Sequence, residues 1–206
     1  VAELYKGTKI GRIPKDWEMV KMKEIASFSQ GTQISNSNLF RENIENKLFR
    51  YLYISDFFND RKIFYTTETR SNYLVFENDL VIVNTGNTTG KLLTGKSGIL
   101  CNNAFKITLN EELLNRMYTK QYLDSQFYKR QIGNILNGGG QPHLGHKNMG
   151  NIWIPIPTLN EQKKITEIMS EADAKIEKEE NEKDKLEELK KGLMQQLLTG
   201  QKRVKV

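Results

Sequence analysis

The C-terminal fifth of the chain has the residue pattern of one long helix. Residues 159–198 contain no proline and a single glycine, Gly192. Thr158 and Glu161 have the spacing of a capping box at its start, and Gly200 supplies a stop signal. At 1.5 Å per residue the helix would be roughly 60 Å long, too long to pack along its whole length on a domain of this size. We therefore predict that it projects from the rest of the chain and pairs with another helix.

Apolar residues at three- and four-residue steps mark the two ends of this helix as its contact surfaces. The first apolar patch consists of Ile165, Ile168, Met169, Ala172 and Ile176, and the second apolar patch consists of Leu186, Leu189, Leu193 and Leu197. The segment between them, 177–185, is entirely polar. Two apolar ends and a polar middle predict an antiparallel pair, in which each end packs on the opposite end of its partner. A parallel coiled coil is disfavoured because it would align like charges, and a solvated single helix with Glu–Lys pairs is the remaining alternative.

The preceding residues show short strand-like runs joined by polar connections. The predicted strands cover 17–21, 52–54, 62–65, 80–83, 104–109 and 152–156, with a helical turn at 23–26. One helix of ordinary length is predicted from an Asn110 cap to about Gln131. Its predicted buried face consists of Leu113, Met117, Leu123 and Phe127. We predict an α/β (mixed α+β) globular domain over residues 1–157, followed by the long helix and tail over residues 158–206.

Charge is distributed unevenly between these two parts. Residues 158–206 carry 11 Lys/Arg and 11 Asp/Glu, whereas residues 1–157 carry 20 and 14, so the whole formal charge of +6 lies on the globular part. All nineteen aromatic residues lie there as well. A basic, aromatic-rich domain has the field and the core to bind a polyanion such as nucleic acid. A charge excess of this size is also common in proteins that bind none.

The composition also indicates the cellular compartment in which the protein works. Cys101 is the only cysteine, so no disulfide framework is possible, which fits a reducing cytoplasm. No apolar run approaches the roughly 18 residues of a membrane span, and no signal-peptide pattern opens the chain. The chain begins with Val1 rather than Met, as an excised or processed piece would. We expect a cytoplasmic protein with no membrane partner.

One stretch matches a nucleotide-binding motif letter for letter. Residues 90–97, GKLLTGKS, fit the Walker A pattern. A phosphate-binding loop must run straight into a helix whose N–H groups hold the anion, whereas residues 98–103 have the pattern of a turn and a strand. No apolar strand ending in an acidic residue follows to hold magnesium. The P-loop interpretation is therefore disfavoured.

No other pattern indicates catalysis or metal binding. His143 and His146 are three residues apart, but no cysteine or carboxylate stands near them to complete a metal site. The sequence has no G-x-S-x-G elbow, no Asn-Pro-Pro-Tyr or Asp-Pro-Pro-Tyr segment and no G-x-G-x-x-G cofactor loop. We expect no catalytic residue, no metal and no cofactor in this chain.

Three polar loops that contain glycine, 30–33, 84–91 and 137–147, are the candidate contacts with DNA. Glycine lets the backbone approach a groove wall, and Asn, Gln, Lys, Ser and Thr can hydrogen-bond to base edges. Taken singly, each loop is explained equally well by ordinary turn chemistry. The predicted contact residues are Gln30, Thr32, Thr85, Asn87, Thr88, Lys91, Gln141, His143 and Lys147.

Taken together and in order, several segments resemble the specificity subunits of Type I restriction–modification systems (HsdS). The matching segments are 11–17 (GRIPKDW), 51–56 (YLYISD), 79–86 (DLVIVNTG) with Gly90-Lys91, 141–144 (QPHL), 152–157 (IWIPIP) and 192–200 (GLMQQLLTG). The order of these segments and the helix start, Pro157-x-x-x-Glu161-Gln162, are the most specific features. The resemblance covers nearly the whole chain from about Gly11.

The resemblance implies a subunit that recognises double-stranded DNA and is not itself catalytic. Members usually carry two target-recognition domains alternating with two long helices that pack antiparallel as a spacer. This chain has one of each and is similar to half a subunit. The resemblance further implies docking to methyltransferase subunits, which bind the methyl donor, and assembly with restriction and motor subunits. It leaves open whether the chain acts alone, as a homodimer or beside another specificity chain.

Two other functions remain as alternatives. One alternative to the specificity subunit is a scaffolding protein whose coiled-coil helix and globular domain bind proteins and no DNA. The other is a P-loop nucleotide-binding protein.

Overall fold

The computed structural model describes residues 4–60, 62–136 and 142–204, and the chain divides into two compact units, Val1–Lys163 and Lys164–Val206. The strands are β1 Tyr5–Thr8, β2 Gly11–Pro14, β3 Glu18–Lys21, β4 Ala26–Gln30, β5 Phe49–Leu52, β6 Phe64–Thr66, β7 Leu74–Val75, β8 Leu80–Val83, β9 Leu92–Leu93, β10 Gly98–Leu100, β11 Ala104–Leu109 and β12 Trp153–Ile156. The helices are α1 Met22–Ile25, α2 Arg116–Asp124, α3 Gln126–Leu136, α4 His146–Gly150 and α5 Leu159–Leu198.

Two four-stranded sheets form the centre of the first unit. One has the order β4-β11-β8-β9 and is antiparallel, and the other has the order β6-β5-β10-β7, with β5 and β10 parallel. Buried side chains from both sheets, among them Leu52, Leu100, Val81 and Val83, pack into one hydrophobic cluster. Two-stranded sheets β1-β2 and β3-β12 complete the unit. The prediction of a mixed α+β domain followed by a long helix is confirmed.

The strands with the strongest apolar patterns lie where the sequence predicts them. The predicted strands at 80–83 and 104–109 are β8 and β11, and those at 17–21 and 152–156 are β3 and β12 within a residue. The predicted strands at 52–54 and 62–65 are displaced, to Phe49–Leu52 and Phe64–Thr66. The Asp56 carboxylate accepts a hydrogen bond from the Tyr53 N–H at 2.8 Å. This contact favours a turn of 3₁₀-helix over Ile54–Phe57, which begins at the last residue of the predicted strand 52–54.

The helix predicted from Asn110 to Gln131 is wrong in its start, its continuity and its buried face. Asn110 caps an isolated turn, through a bond from the Glu112 N–H to its side-chain oxygen, and α2 begins instead after Asn115, which accepts from the Tyr118 N–H. Ser125 adopts an extended conformation and separates α2 from α3. Leu123 is buried as predicted, but the predicted core residues Leu113, Met117 and Phe127 are 45–49% exposed.

Tyrosines form most of the buried face that those apolar residues were expected to form. The hydroxyls of Tyr118, Tyr122 and Tyr128 donate to the carbonyls of Pro155, Trp153 and Gly90 at 2.8, 2.6 and 2.9 Å. Each ring thus fills the core while its polar end has a partner, as buried tyrosine requires. Burial raises the pKa of all three hydroxyls above the ordinary value of 10, so they remain protonated donors in mildly alkaline solution as well as at neutral pH.

The start of α5 explains the Glu161-Gln162 pair in the sequence. Gln162 is fully buried, and its amide accepts from the Asn115 N–H at 2.7 Å and donates to the carbonyls of Leu113 and Pro157. These three bonds tie the first turn of α5 to the segment that precedes α2. Leaving any one of these groups buried without a partner would be costly.

The neighbouring cap combines a local bond and a long-range bond. The Thr158 hydroxyl accepts from the Glu161 N–H at 3.3 Å, as the capping box predicts. The Glu161 carboxylate accepts from the indole N–H of Trp17 at 3.2 Å. Sequence spacing predicted the first bond, whereas the second joins residues 144 positions apart.

Helix α5 has the predicted bounds and continues through the second unit. It spans Leu159–Leu198, and Gly200 follows with a positive φ of 74° while its N–H bonds to the Leu197 carbonyl. Every residue from 167 to 204 is exposed, including most of the first apolar patch and the whole second apolar patch. No helix in the described part of the chain is long and apolar enough to cross a membrane.

Candidate nucleic-acid interface

Strand ends bring three chain segments to one edge of the β4-β11-β8-β9 sheet. The end of β4 at Gln30 pairs with Phe105, and the end of β8 at Val83 pairs with Ala104, where β11 begins. Antiparallel neighbours alternate in direction, so the exit of one strand lies beside the start of the next. Segments 30–32, 84–91 and 102–103 therefore emerge together.

The first segment is fastened to the turn at 102–103. The Gln30 amide donates to the carbonyls of Asn102 and Ala104 at 2.5 and 3.1 Å, and the Thr32 N–H bonds to the Leu100 carbonyl at 2.8 Å. A Cβ on Gly31 would lie 2.0 Å from the Cys101 carbonyl oxygen, so this close approach requires glycine. Gln30, predicted to contact bases, thus also holds the turn.

The middle and third predicted loops are adjacent, through contacts between residues more than fifty positions apart in the sequence. Thr85 and His143 form an isolated antiparallel bridge, and the Leu144 N–H donates to the Asn84 carbonyl at 2.8 Å. The Thr89 hydroxyl lies 3.3 Å from the Pro142 carbonyl. Segment 142–147 therefore joins the other three, and we call segments 30–32, 84–91, 102–103 and 142–147 together the polar loop edge.

Most predicted contact side chains on the polar loop edge face solvent. Asn87, Thr88, Lys91, His143 and Lys147 are exposed, and Gln30, Thr32 and Thr85 are half-buried. Gln141 lies outside the residues that the structure describes. Sequence reasoning missed the exposed pair Asn102 and Asn103 as part of this surface, although two asparagines between apolar runs are a turn signal.

Helix α3 packs against the middle loop. The buried Tyr128 hydroxyl donates to the Gly90 carbonyl, and a Cβ on Gly90 would lie 2.6 Å from a methyl carbon of Ile132. Gly90 also has a positive φ of 85°, which L side chains rarely adopt. The glycine of the Walker-like stretch is therefore explained by packing and backbone conformation.

The rest of that stretch does not form a phosphate-binding loop. Leu92–Leu93 is strand β9 and Gly98–Leu100 is strand β10, so the Lys96-Ser97 pair leads into a strand. A P-loop needs the N–H groups at the start of a helix at this position. The geometry excludes the P-loop alternative.

The two histidines of the third loop have different environments. The His146 ring packs against both Phe28 and Phe105, with ring centroids 5.8 and 4.9 Å away. Its Nε2 is buried and has no hydrogen-bond partner among the described residues. Burial lowers the pKa of His146 below its ordinary value of 6.5. In the described part of the chain, no group of three His, Cys, Asp or Glu side chains could hold a metal ion.

His146 should make the fold less stable in mild acid. Because its pKa is lower in the folded chain than in the unfolded chain, the unfolded chain binds more protons below about pH 6.5. The contribution of the neutral His146 ring to the stability of the fold is complete above that pH and is lost as the pH falls. Comparing urea midpoints at pH 7 and pH 5.5 should show a smaller drop for His146→Phe than for the wild type. His143→Asn is the matched control, and an equal drop in wild type and His146→Phe would contradict the assignment.

Comparison with known proteins identifies the family. A model of the Type I restriction modification DNA specificity domain matches residues 14–188, and the chain belongs to this family. It is 29% identical to the Type I restriction enzyme MjaVIII specificity subunit of Methanocaldococcus jannaschii, over 98% of this chain and 50% of that protein. It is 23% identical to the MjaIX specificity subunit of the same organism, over 90% of this chain and 44% of that protein. The chain thus spans about half the length of the curated relatives it matches.

Solved structures show the same fold. The HsdS subunit from Thermoanaerobacter tengcongensis superimposes with a TM-score of 0.66 at 14% identity, covering 95% of this chain and 47% of that chain. A chain from a type I R-M system studied for complex assembly and conformational transition gives a TM-score of 0.68 at 15% identity, with 95% and 48% coverage. The predicted similarity to half a specificity subunit is confirmed.

Proposed function

We propose that this chain is a sequence-specific DNA-recognition subunit of a Type I restriction–modification complex. The observation that carries the proposal is the polar loop edge, where four separate segments present Asn, Thr, His and Lys side chains on one surface. The excess positive charge of the chain lies in the same part of the sequence, residues 1–157. Membership of the DNA specificity domain family supports this assignment.

Recognition of one half-site would combine two kinds of contact. Lys91 and Lys147 are exposed cations suited to phosphate oxygens, which set orientation and supply salt-dependent affinity. Asn87 and His143 carry exposed groups that can bond to base edges, and Thr85 lies two residues before Asn87 and forms the backbone bridge with His143. Gln141 is a fourth proposed base contact on sequence grounds. Residues 1–157 are thus the proposed target-recognition domain.

The long helix would act as the spacer between two such domains. In this proposal residues 158–206 pair antiparallel with a second copy of the chain, or with another specificity chain, through the two apolar patches. The exposure of these patches supports a pairing role, since apolar rows along a water-covered helix need a partner. The chain itself would be non-catalytic. Base methylation would come from methyltransferase subunits docked on it, and cleavage from restriction and motor subunits of the complex.

Lys91→Ala should weaken binding to the recognised DNA and reduce its salt dependence. Loss of one phosphate contact lowers the slope of log K against log salt by about one. The measurement needs the recognised sequence first, obtained by selection from a pool of random duplexes, followed by titrations at several salt concentrations. Lys120→Ala is the matched control, because Lys120 lines the same cleft as Leu80, which begins β8 at the end away from the polar loop edge.

Two results would contradict parts of this proposal. Unchanged affinity and slope in Lys91→Ala would exclude the middle loop from the interface. Failure of the wild-type chain to retain any DNA from the pool, alone or with methyltransferase subunits, would favour the scaffolding alternative.

A further inference from the structure

A fifth segment, 53–60, lies beside the polar loop edge. Strands β5 and β10 are parallel, so they end at the same edge of their sheet, with Leu52 paired to Leu100. The Cys101 N–H donates to the Leu52 carbonyl at 3.0 Å. β10 leads into the turn at 102–103, and β5 leads into segment 53–60. The topology therefore brings this segment to the proposed DNA-binding surface, although no polar loop pattern marks it in the sequence.

A network of charged side chains around the buried Asp56 holds this segment. Asp56 is only 2% exposed, and its carboxylate accepts from the Tyr53 N–H and lies 3.6 Å from the Arg50 guanidinium. Arg50 also bonds to Asp60 at 2.6 Å, and Lys96 bonds to Asp60 at 2.9 Å. A buried charge is tolerated only with such partners. The network fixes the backbone and pairs both carboxylates with cations, so they repel a nearby phosphate less.

Phe58 stands on this segment and contacts Lys91. Its N–H bonds to the Ser55 carbonyl at 3.0 Å, its side chain is 51% exposed, and the Lys91 ammonium lies 4.3 Å from its ring centroid. The Lys91 backbone is held as well, by the bond from its N–H to Thr88 and the bond from the Val83 N–H to its carbonyl. The cation–π contact thus joins two side chains whose backbones are both held by hydrogen bonds.

We propose that Phe58 is a positioning residue of the DNA interface, which holds the Lys91 ammonium where it meets a phosphate; this inference rests on the proposed function. The electron-rich face of the ring attracts the ammonium and restricts the four-carbon side chain before DNA arrives. An ammonium has three N–H donors, so one side can rest on the ring while another donates to a phosphate oxygen. The contact lowers the ordering cost of binding.

The test changes the ring face and keeps the size of the side chain. Full-length protein carrying Phe58 with one, two or three ring fluorines should bind the selected DNA progressively less tightly, because fluorine withdraws electron density from the ring face. Phe58→Leu should weaken binding by about two- to fivefold, the contribution of an exposed cation–π contact, and Phe58→Trp should retain it. In a Lys91→Met background the same changes at Phe58 should have no further effect.

The outcomes separate this inference from the proposed function. DNA binding by the wild-type chain with no fluorine trend, or with equal losses in the wild-type and Lys91→Met backgrounds, would overturn the positioning role and leave the DNA-recognition proposal intact. A wild-type chain that selects no DNA would overturn both. The fluorinated residues are nearly the size of phenylalanine, so the series remains decisive if Phe58→Leu fails to fold, and thermal unfolding checks that each variant is intact.

Discussion

Ile168→Glu or Leu189→Glu should convert a dimer of this chain into monomers. Ile168, in the first apolar patch, is 69% exposed, and Leu189, in the second, is 59% exposed. Antiparallel pairing would place the first patch of one chain on the second patch of its partner. A glutamate on either side would then be buried against apolar side chains without a partner charge, which is strongly unfavourable.

The expected effect is large because two-fold symmetry doubles it. Burial of one isoleucine or leucine side chain contributes about 1.5–3 kcal/mol. A symmetric dimer loses that contribution twice, about 3–6 kcal/mol, which weakens the dimer by roughly 10²- to 10⁴-fold. Sedimentation or light scattering at tens of micromolar would show the change as a halving of the mass.

Asn181→Glu is the matched control for these substitutions. It introduces the same side chain into the exposed polar middle of α5, so the dimer should persist. A dimer that survives Ile168→Glu and Leu189→Glu would show that the apolar patches are not the pairing surface. A wild-type chain that is monomeric would count against homodimerisation. The same substitutions would then be tested in a complex with a second specificity chain.

Deleting one heptad from α5, Lys178–Asp184, should shorten the spacer in the recognised DNA by up to about 3 bp. Two identical recognition domains in a symmetric dimer should read an inverted repeat with an unread segment between its halves. Both halves must face one side of the duplex, so we expect centres about one helical turn apart. Removing seven residues shortens the helix by about 10 Å, and one base pair advances 3.4 Å.

The heptad deletion changes length while nearly preserving phase. Seven residues are close to two full turns, so the two apolar patches remain on their original faces. Deleting five residues from the same segment would rotate the second patch by about 140° relative to the first, and that variant should fail to pair. Selection from random duplexes would report the spacing of each variant. An unchanged spacing in the heptad deletion, with intact half-sites, would show that the helix does not set the distance.

The bounds of α5 could be predicted residue by residue because its structure depends on local information. The Thr158 cap, the uninterrupted helix-forming run and the Gly200 stop act within a few positions of one another. Residues 167–204 are exposed, so packing within the described part of the chain does not override these preferences. Strands β8 and β11 were predictable for a related reason, since their buried apolar patterns are strong enough to indicate strands without knowledge of their neighbours.

The buried face of α2 and α3 was not predictable from periodicity. Tyrosine is intermediate in burial on average, and Tyr118, Tyr122 and Tyr128 become core residues only because backbone carbonyls accept their hydroxyls. Those carbonyls lie 31 to 38 positions away in the sequence. The apolar residues predicted for that face consequently remain largely exposed.

The sequence by itself determined the long helix, the two apolar patches, the charge division and the individual loops with their candidate side chains. Only the tertiary structure decided that loops more than fifty residues apart form one polar loop edge, through the Thr85–His143 bridge and the Gln30 bonds to the turn at 102–103. It also decided that Phe58, which no motif marks, meets Lys91. Helix caps and periodicity act between near neighbours in the chain, whereas an interface assembled from loops depends on which strand ends share a sheet edge, and that is set by long-range pairing.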